Sequence, residues 1–156
     1  MNDVGPTRRI LMAEDDADDR LLVKDALTEC RWEGDLRFVE NGEELLDYLM
    51  HRGKYSQLAA APQPGLILLD LNMPRKDGRE ALREIKADVE LRRIPVVVFT
   101  TSRADTDIGR LYDLGANSFI SKPIHFDALV SVMRTLGQYW FGIVELPAAP
   151  QSAPYD

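Results

Sequence analysis

Three uninterrupted apolar runs constrain this chain more than any other feature: "ILMA" (10–13), "LILL" (66–69) and "VVVF" (96–99). Successive residues of a strand face opposite sides of a sheet, so a run that is apolar throughout needs cover on both faces. A mostly parallel sheet with helices on either side provides that cover. A fourth, less pure run is "SFI" (118–120), and the more polar "LRFVE" (36–40) suits a sheet edge. Between the runs the apolar period becomes helical. Leu22, Val23, Ala26, Leu27 and Cys30 form one stripe, and Leu45, Leu46 and Leu49 a second. Ala81, Leu82, Ile85 and Val89 form a third, and Ile108, Leu111 and Tyr112 a short fourth. Phe126, Leu129, Val130, Met133, Leu136 and Trp140 make the fifth. Strands alternating with helices predict right-handed βαβ units and an α/β, doubly wound (βα)5 architecture.

The length of 156 residues suits one domain, and 45% hydrophobic and 29% charged residues are ordinary for a globular protein. A net charge of −7 argues against nucleic acid as a partner. The lone cysteine, Cys30, cannot form an internal disulfide, which suits the reducing cytoplasm. No signal peptide and no membrane span is expected. The predicted domain covers 1–146, including an apolar ending, and "PAAPQSAPYD" (147–156) reads as a flexible tail. Residues 51–65 are expected to form a surface loop.

Ligands of an open parallel sheet gather beyond the carboxyl ends of its strands. There this sequence places Glu14, Asp15 and Asp16, then Asp70, then Thr100, Thr101 and Ser102, and finally Ser121 and Lys122. Each has an ordinary alternative. Asp18 and Asp19, with Asp16 less clearly, read as the solvated first turn of a helix, where acidic groups suit the dipole. His51 and His125 read as solvated. The coincidence at one sheet end is what points to chemistry. Several carboxylates gathered there need a cation, and oxygen ligands suit Mg²⁺ rather than zinc.

The ordered set "AEDD", "LLDLNMPRKDG", "VVVFTTS" and "FISKP" resembles the receiver domain of two-component response regulators, over about residues 8–137. The resemblance implies a flavodoxin-like fold with five parallel strands in the order 2-1-3-4-5. It implies that Asp70 accepts a phosphoryl group from a histidine kinase. Asp15 would hold Mg²⁺ directly, Glu14 would act through bound water, and Asn72 would offer its backbone carbonyl. Thr100 and Lys122 would contact phosphoryl oxygens, Phe119 would be the switch aromatic, and the Lys122–Pro123 bond would be cis. Pro74 and Gly78 fit a tight loop beside the site, with Gly78 free to adopt positive φ. The implied role is that of a phosphoacceptor signalling protein that assists its own phosphorylation and dephosphorylation, not that of an enzyme.

Two residues depart from the family pattern. Glu14 stands where aspartate is usual, and Thr101 where a smaller residue is commoner. The 51–65 loop and the ending "RTLGQYWFGIVELP" (134–147) exceed the minimal domain. With "ADDRLL" and "TTSRADTDI", they resemble single-domain regulators paired with phytochrome-type histidine kinases. Tyr139, Trp140, Phe141, Ile143, Val144 and Leu146 are expected to form an exposed patch. That patch suggests a homodimer through the fourth helix, fifth strand and fifth helix. Folding back on their own domain is the competing expectation. Two other functions compete: a phosphorylation-independent adaptor, and a dehalogenase-superfamily phosphatase. The phosphatase would need a general acid two residues after the nucleophile, where this chain has Asn72.

Overall fold

The computed structural model describes residues 8–60, 62–101 and 105–147. Five strands form one parallel sheet: β1 (Arg9–Ala13), β2 (Asp35–Val39), β3 (Leu66–Leu69), β4 (Val96–Thr100) and β5 (Ser118–Ser121). Their spatial order is β2-β1-β3-β4-β5. Five helices alternate with them: α1 (Ala17–Glu29), α2 (Gly42–Met50), α3 (Gly78–Ala87), α4 (Asp105–Asp113) and α5 (Phe126–Gln138). This is a flavodoxin-like arrangement, in the expected order.

The continuous apolar runs have the expected cause. Leu11, Ala13, Ile67, Leu69, Val96 and Val98 face one way and pack with Leu45, Leu46 and Leu49 of α2 and Ala81, Leu82 and Ile85 of α3. Their strand neighbours Ile10, Met12, Leu66, Leu68, Val97 and Phe99 face the other way. These pack with Val23, Ala26 and Leu27 of α1 and Leu129, Val130 and Met133 of α5. Each strand therefore feeds two cores, which fixes its register against both neighbours.

Helix starts are set by short polar side chains accepting from backbone amides. Asp16 caps α1, Asn41 caps α2 and Asp77 caps α3. At the edge strand, Arg9 of β1 donates to Asp35 of β2 at 2.7 Å, tying the two strands, and Arg37 on the same strand as Asp35 donates to it at 3.2 Å.

Several local expectations need correction. Leu22 and Val89 are exposed rather than part of the buried stripes, because α1 turns Leu22 outward and α3 ends before Val89. The 51–65 segment contains a 3-10 helix (Gly53–Ala60), and Tyr55 and Leu58 pack against the α2–α3 core. Gly78 is not among the positive-φ glycines; the left-handed residue of that loop is Arg75, with φ 64°. The glycine serves close approach instead. A Cβ on Gly78 would lie 2.3 Å from the Asp70 carbonyl oxygen. Lys122–Pro123 is trans, as are all the described peptide bonds. Trans is the default even before proline, and the dipeptide alone does not override it.

The apolar ending is also partly folded back. After α5 a π-turn (Tyr139–Ile143) brings Trp140 and Phe141 against the α1–α5 core, with Phe141 and Trp32 ring centroids 5.4 Å apart. Tyr139 and Ile143 stay exposed. The expected patch is thus smaller than the sequence suggests, and its aromatic half fills the space beside the α1–β2 loop. Of the expected tail, residues 148–156 lie outside the described residues. Among the described residues no helix is long and apolar enough to cross a membrane.

Candidate phosphoacceptor site

The sheet's carboxyl end holds what its core excludes. Among the described residues, the buried polar or charged ones are Glu14, Asp70 and Thr100, and each sits at the end of a central strand. Burying such groups is costly without partners, so their convergence needs a specific cause. Neighbouring backbone fixes each one. The Glu14 amide donates to the Val39 carbonyl at 2.9 Å, and the Asp70 amide to the Ala13 carbonyl at 3.1 Å. The Lys122 amide donates to the Thr100 carbonyl at 2.9 Å. The 71–78 loop folds back over β3, with the Gly78 amide donating to the Leu71 carbonyl at 2.9 Å.

Carboxylate oxygens of Glu14, Asp15 and Asp70 all lie within 4.8 Å of one another, with Asp15 the exposed member. Two such charges at that distance repel by about 3 kcal/mol at an effective dielectric near 20. One ammonium offsets part of this. Lys122 Nζ donates to Glu14, donates to Asp19 at 2.8 Å, and stands 3.5 Å from Asp70 Oδ2. Burial would lower the Lys122 pKa, but the bonds to Asp19 and Glu14 outweigh it and hold the group above the ordinary lysine value. Glu14 moves the other way. Burial raises its pKa to about 7, with Asp70 adding to the rise and Lys122 opposing it. Three carboxylates around a single ammonium leave the cluster with an excess of negative charge. The all-oxygen donor set, open at Asp15, fits a hard divalent cation such as Mg²⁺.

The structure therefore brings Glu14, Asp15, Asp70, Thr100 and Lys122 to one sheet end, with Asn72 exposed on the adjoining loop. Phe119 lies on β5 opposite Val98, its ring partly buried against the α2–α3 core. Thr101 is exposed at the rim, and Ser102 lies outside the described residues. Asp16 is removed from the cluster, because its side chain is used by the Asp18 and Asp19 amides. His125 is exposed at the start of α5, whereas His51 is half-buried at the end of α2. Neither belongs to the site. The residue that sequence reasoning missed is Asp19. Its place in the first helical turn gave it an ordinary explanation, and only the fold brings it to Lys122.

A protein-family model for the response regulator receiver domain matches residues 10–134. The chain belongs to the response regulator receiver family. This receiver is 38% identical over 144 residues to response regulator Rcp1 of Synechocystis sp., an alignment spanning 92% of this chain and 96% of that one. The crystal structure of Rcp1 in its Mn²⁺-bound form matches 90% of this receiver and 99% of that chain with a TM-score of 0.81. The phosphorylated cyanobacterial phytochrome response regulator RcpA is 39% identical, with a TM-score of 0.83 over 91% of this receiver and 99% of that chain. Response regulator RPA3017, in red light signaling of R. palustris, is 35% identical with a TM-score of 0.84, covering 90% and 99% of the two chains. The receiver is thus a homologue of phytochrome-associated response regulators across nearly their full length. Those regulators are signalling proteins.

Proposed function

We propose that this receiver is a single-domain relay in which Asp70 takes a phosphoryl group from a phytochrome-type histidine kinase. The observation that carries the reading is a buried Asp70 carboxylate at the end of a central strand, 3.5 Å from Lys122 and grouped with Glu14 and Asp15. An Asp70 carboxylate oxygen attacks phosphorus, and the P–N bond to the kinase histidine breaks. Its electron pair stays on the imidazole nitrogen, and the product on Asp70 is a mixed anhydride. Alignment and charge neutralisation do most of the work in such a transfer. Lys122 and Thr100 contact phosphoryl oxygens. Glu14, Asp15, Asp70 and the Asn72 backbone carbonyl would hold Mg²⁺, which supplies the remaining positive charge. The protein assists its own phosphorylation and dephosphorylation, and turns over no other substrate.

The signal leaves through Thr100 and Phe119. Drawing the threonine hydroxyl toward the phosphoryl group frees space for the ring and shifts the balance between two packings. The responsive surface is the α4-β5-α5 face, and the receiver pairs there as a homodimer. Tyr112, Tyr139 and Ile143, all exposed, support that reading. The functional unit runs through residue 146 and is cytoplasmic, with no nucleic-acid partner.

The test is phosphotransfer. A phytochrome-type histidine kinase labelled on its histidine should pass the label to this receiver within minutes, and not to the Asp70→Asn variant. Equal transfer from unrelated histidine kinases would contradict the pairing, and transfer to Asp70→Asn would contradict the site. For the dimer, light scattering of the full chain against one ending at Gly137 should show pairing in the longer protein alone. A full chain that stays monomeric at high micromolar concentration contradicts it.

A further inference from the structure

The Lys122 ammonium has three N–H donors, and the carboxylates of Glu14, Asp19 and Asp70 surround it. Two of these donors are used, on Glu14 and Asp19, and those bonds hold Nζ 3.5 Å from Asp70 Oδ2, so drawing the ammonium toward a phosphoryl group on Asp70 loosens one or both of them. The carboxylates differ in what release costs. The side chains of Glu14 and Asp70 are 1% and 8% exposed, whereas that of Asp19 is 36% exposed. A released Asp19 carboxylate is rehydrated at once, but a released Glu14 is left buried without a counter-charge, its one other bond coming from the Asp16 amide at 3.1 Å. Asp19 also stands apart from the three-carboxylate cluster, so its charge is not needed to hold a cation. Its position is built in, because the Asp16 cap accepts from the Asp19 amide at 3.2 Å and sets where the first turn of α1 points. The residue lines an open cleft of about 210 Å³ with Leu22, Thr101, Lys122 and Pro123.

We propose that Asp19 is a positioning residue that parks Lys122 beside Glu14 and off Asp70, slows phosphorylation, and yields the lysine to the phosphoryl group once it arrives. This rests on Asp70 being the phosphoacceptor. Asp19 does not touch phosphorus; it acts through Lys122 alone.

The test compares Asp19→Ala with Asp18→Ala, which removes a charge from the same helical turn without touching Lys122. With acetyl phosphate as donor at fixed Mg²⁺, Asp19→Ala should form the Asp70 adduct about fivefold faster than the full-length native chain. Half-saturation by beryllofluoride should fall by a similar factor. Asp18→Ala should stay within about twofold on both readouts, and Asp19→Glu should restore slow reaction. Mg²⁺ affinity should be the same in the two alanine variants. The Lys122 Nζ resonance should move in Asp19→Ala and stay put in Asp18→Ala. An adduct that forms on Asp70 at equal rates in the two alanine variants, or more slowly in Asp19→Ala, overturns the proposal and leaves the phosphoacceptor reading intact. No adduct on Asp70 in any of these proteins overturns both.

Discussion

Two half-buried lysines guard opposite ends of the sheet, and they respond to burial in opposite ways. At the amino end, Lys86 of α3 donates to the Arg92 and Ile94 carbonyls, each at 3.1 Å, and pins the segment that leads into β4. Both acceptors are neutral carbonyls, and burial pushes its pKa below the usual lysine value. Gly115, at φ 109°, lets its helix end close over the stem; a Cβ there would lie 2.8 Å from Lys86 Cγ. At the carboxyl end, Lys122 is ringed by carboxylates and is held above the usual value despite its burial. Tying down a loop needs only carbonyl dipoles. Collecting anions beyond what one ammonium offsets does nothing for the fold, and it makes sense only as preparation for a cation and a phosphoryl group.

The largest difference between the two should be kinetic. Lys122→Met should slow adduct formation from a small phosphodonor about a hundredfold, the usual cost of losing one preorganised charge-stabilising donor. Lys86→Met should stay within about twofold of the native rate. Equal losses, followed by quantitative mass spectrometry, would erase the distinction between a chemical and a structural lysine.

Stability should separate them next, through pH. In metal-free buffer at pH 8, Lys122→Met should cost about 2 kcal/mol, because it strands buried Glu14. Glu14's folded pKa, about 7, lies above its ordinary 4.5. The stability tied to its proton is therefore complete below 4.5 and lost as pH rises through 7. Removing Lys122 raises that folded pKa further, so the cost of the substitution should shrink toward pH 5. Lys86→Met should cost about 1 kcal/mol, for two carbonyl hydrogen bonds, with no trend over that range. Urea titrations at pH 5 and pH 8 distinguish the two patterns.

The smallest effect belongs to the amino end and has the opposite sign. Burial raises the Asp35 pKa, but hydrogen bonds from Arg9 and Arg37 outweigh it and hold the carboxyl below its ordinary 3.8. Its contribution is present above 3.8 and lost as pH falls through the depressed value. Asp35→Asn should therefore cost no more than about 0.5 kcal/mol at neutral pH, since the Asp35 carboxylate is 43% exposed, and nothing in strong acid. A cost that persists in acid would assign Asp35 a packing role instead.

Sequence periodicity exposed the fold because each strand faces two cores. Uninterrupted runs such as "LILL" then admit few other architectures, and strand ends follow from where the runs stop. The carboxylates and Lys122 were legible for the same reason. Asp19 was not, because the first turn of a helix favours acids whether or not they have a partner. Gly78 was placed in a tight loop beside the site, but for positive φ rather than for its approach to the Asp70 carbonyl. Nothing local distinguishes those two uses of a missing Cβ. The ending was misjudged because Phe141 finds its partner in Trp32, more than a hundred positions earlier. A contact between two irregular segments leaves no period to read.

The central claim is that the anion-rich end of the sheet exists to phosphorylate one carboxylate. Its most direct test is to incubate the native chain with acetyl phosphate and Mg²⁺, trap the acyl phosphate, and map it by peptide mass spectrometry. The adduct should lie on Asp70 alone, require Mg²⁺, and vanish in Asp70→Asn. An adduct on Asp15, Asp16 or Asp19 of the native chain, or one that survives in Asp70→Asn, would contradict the account.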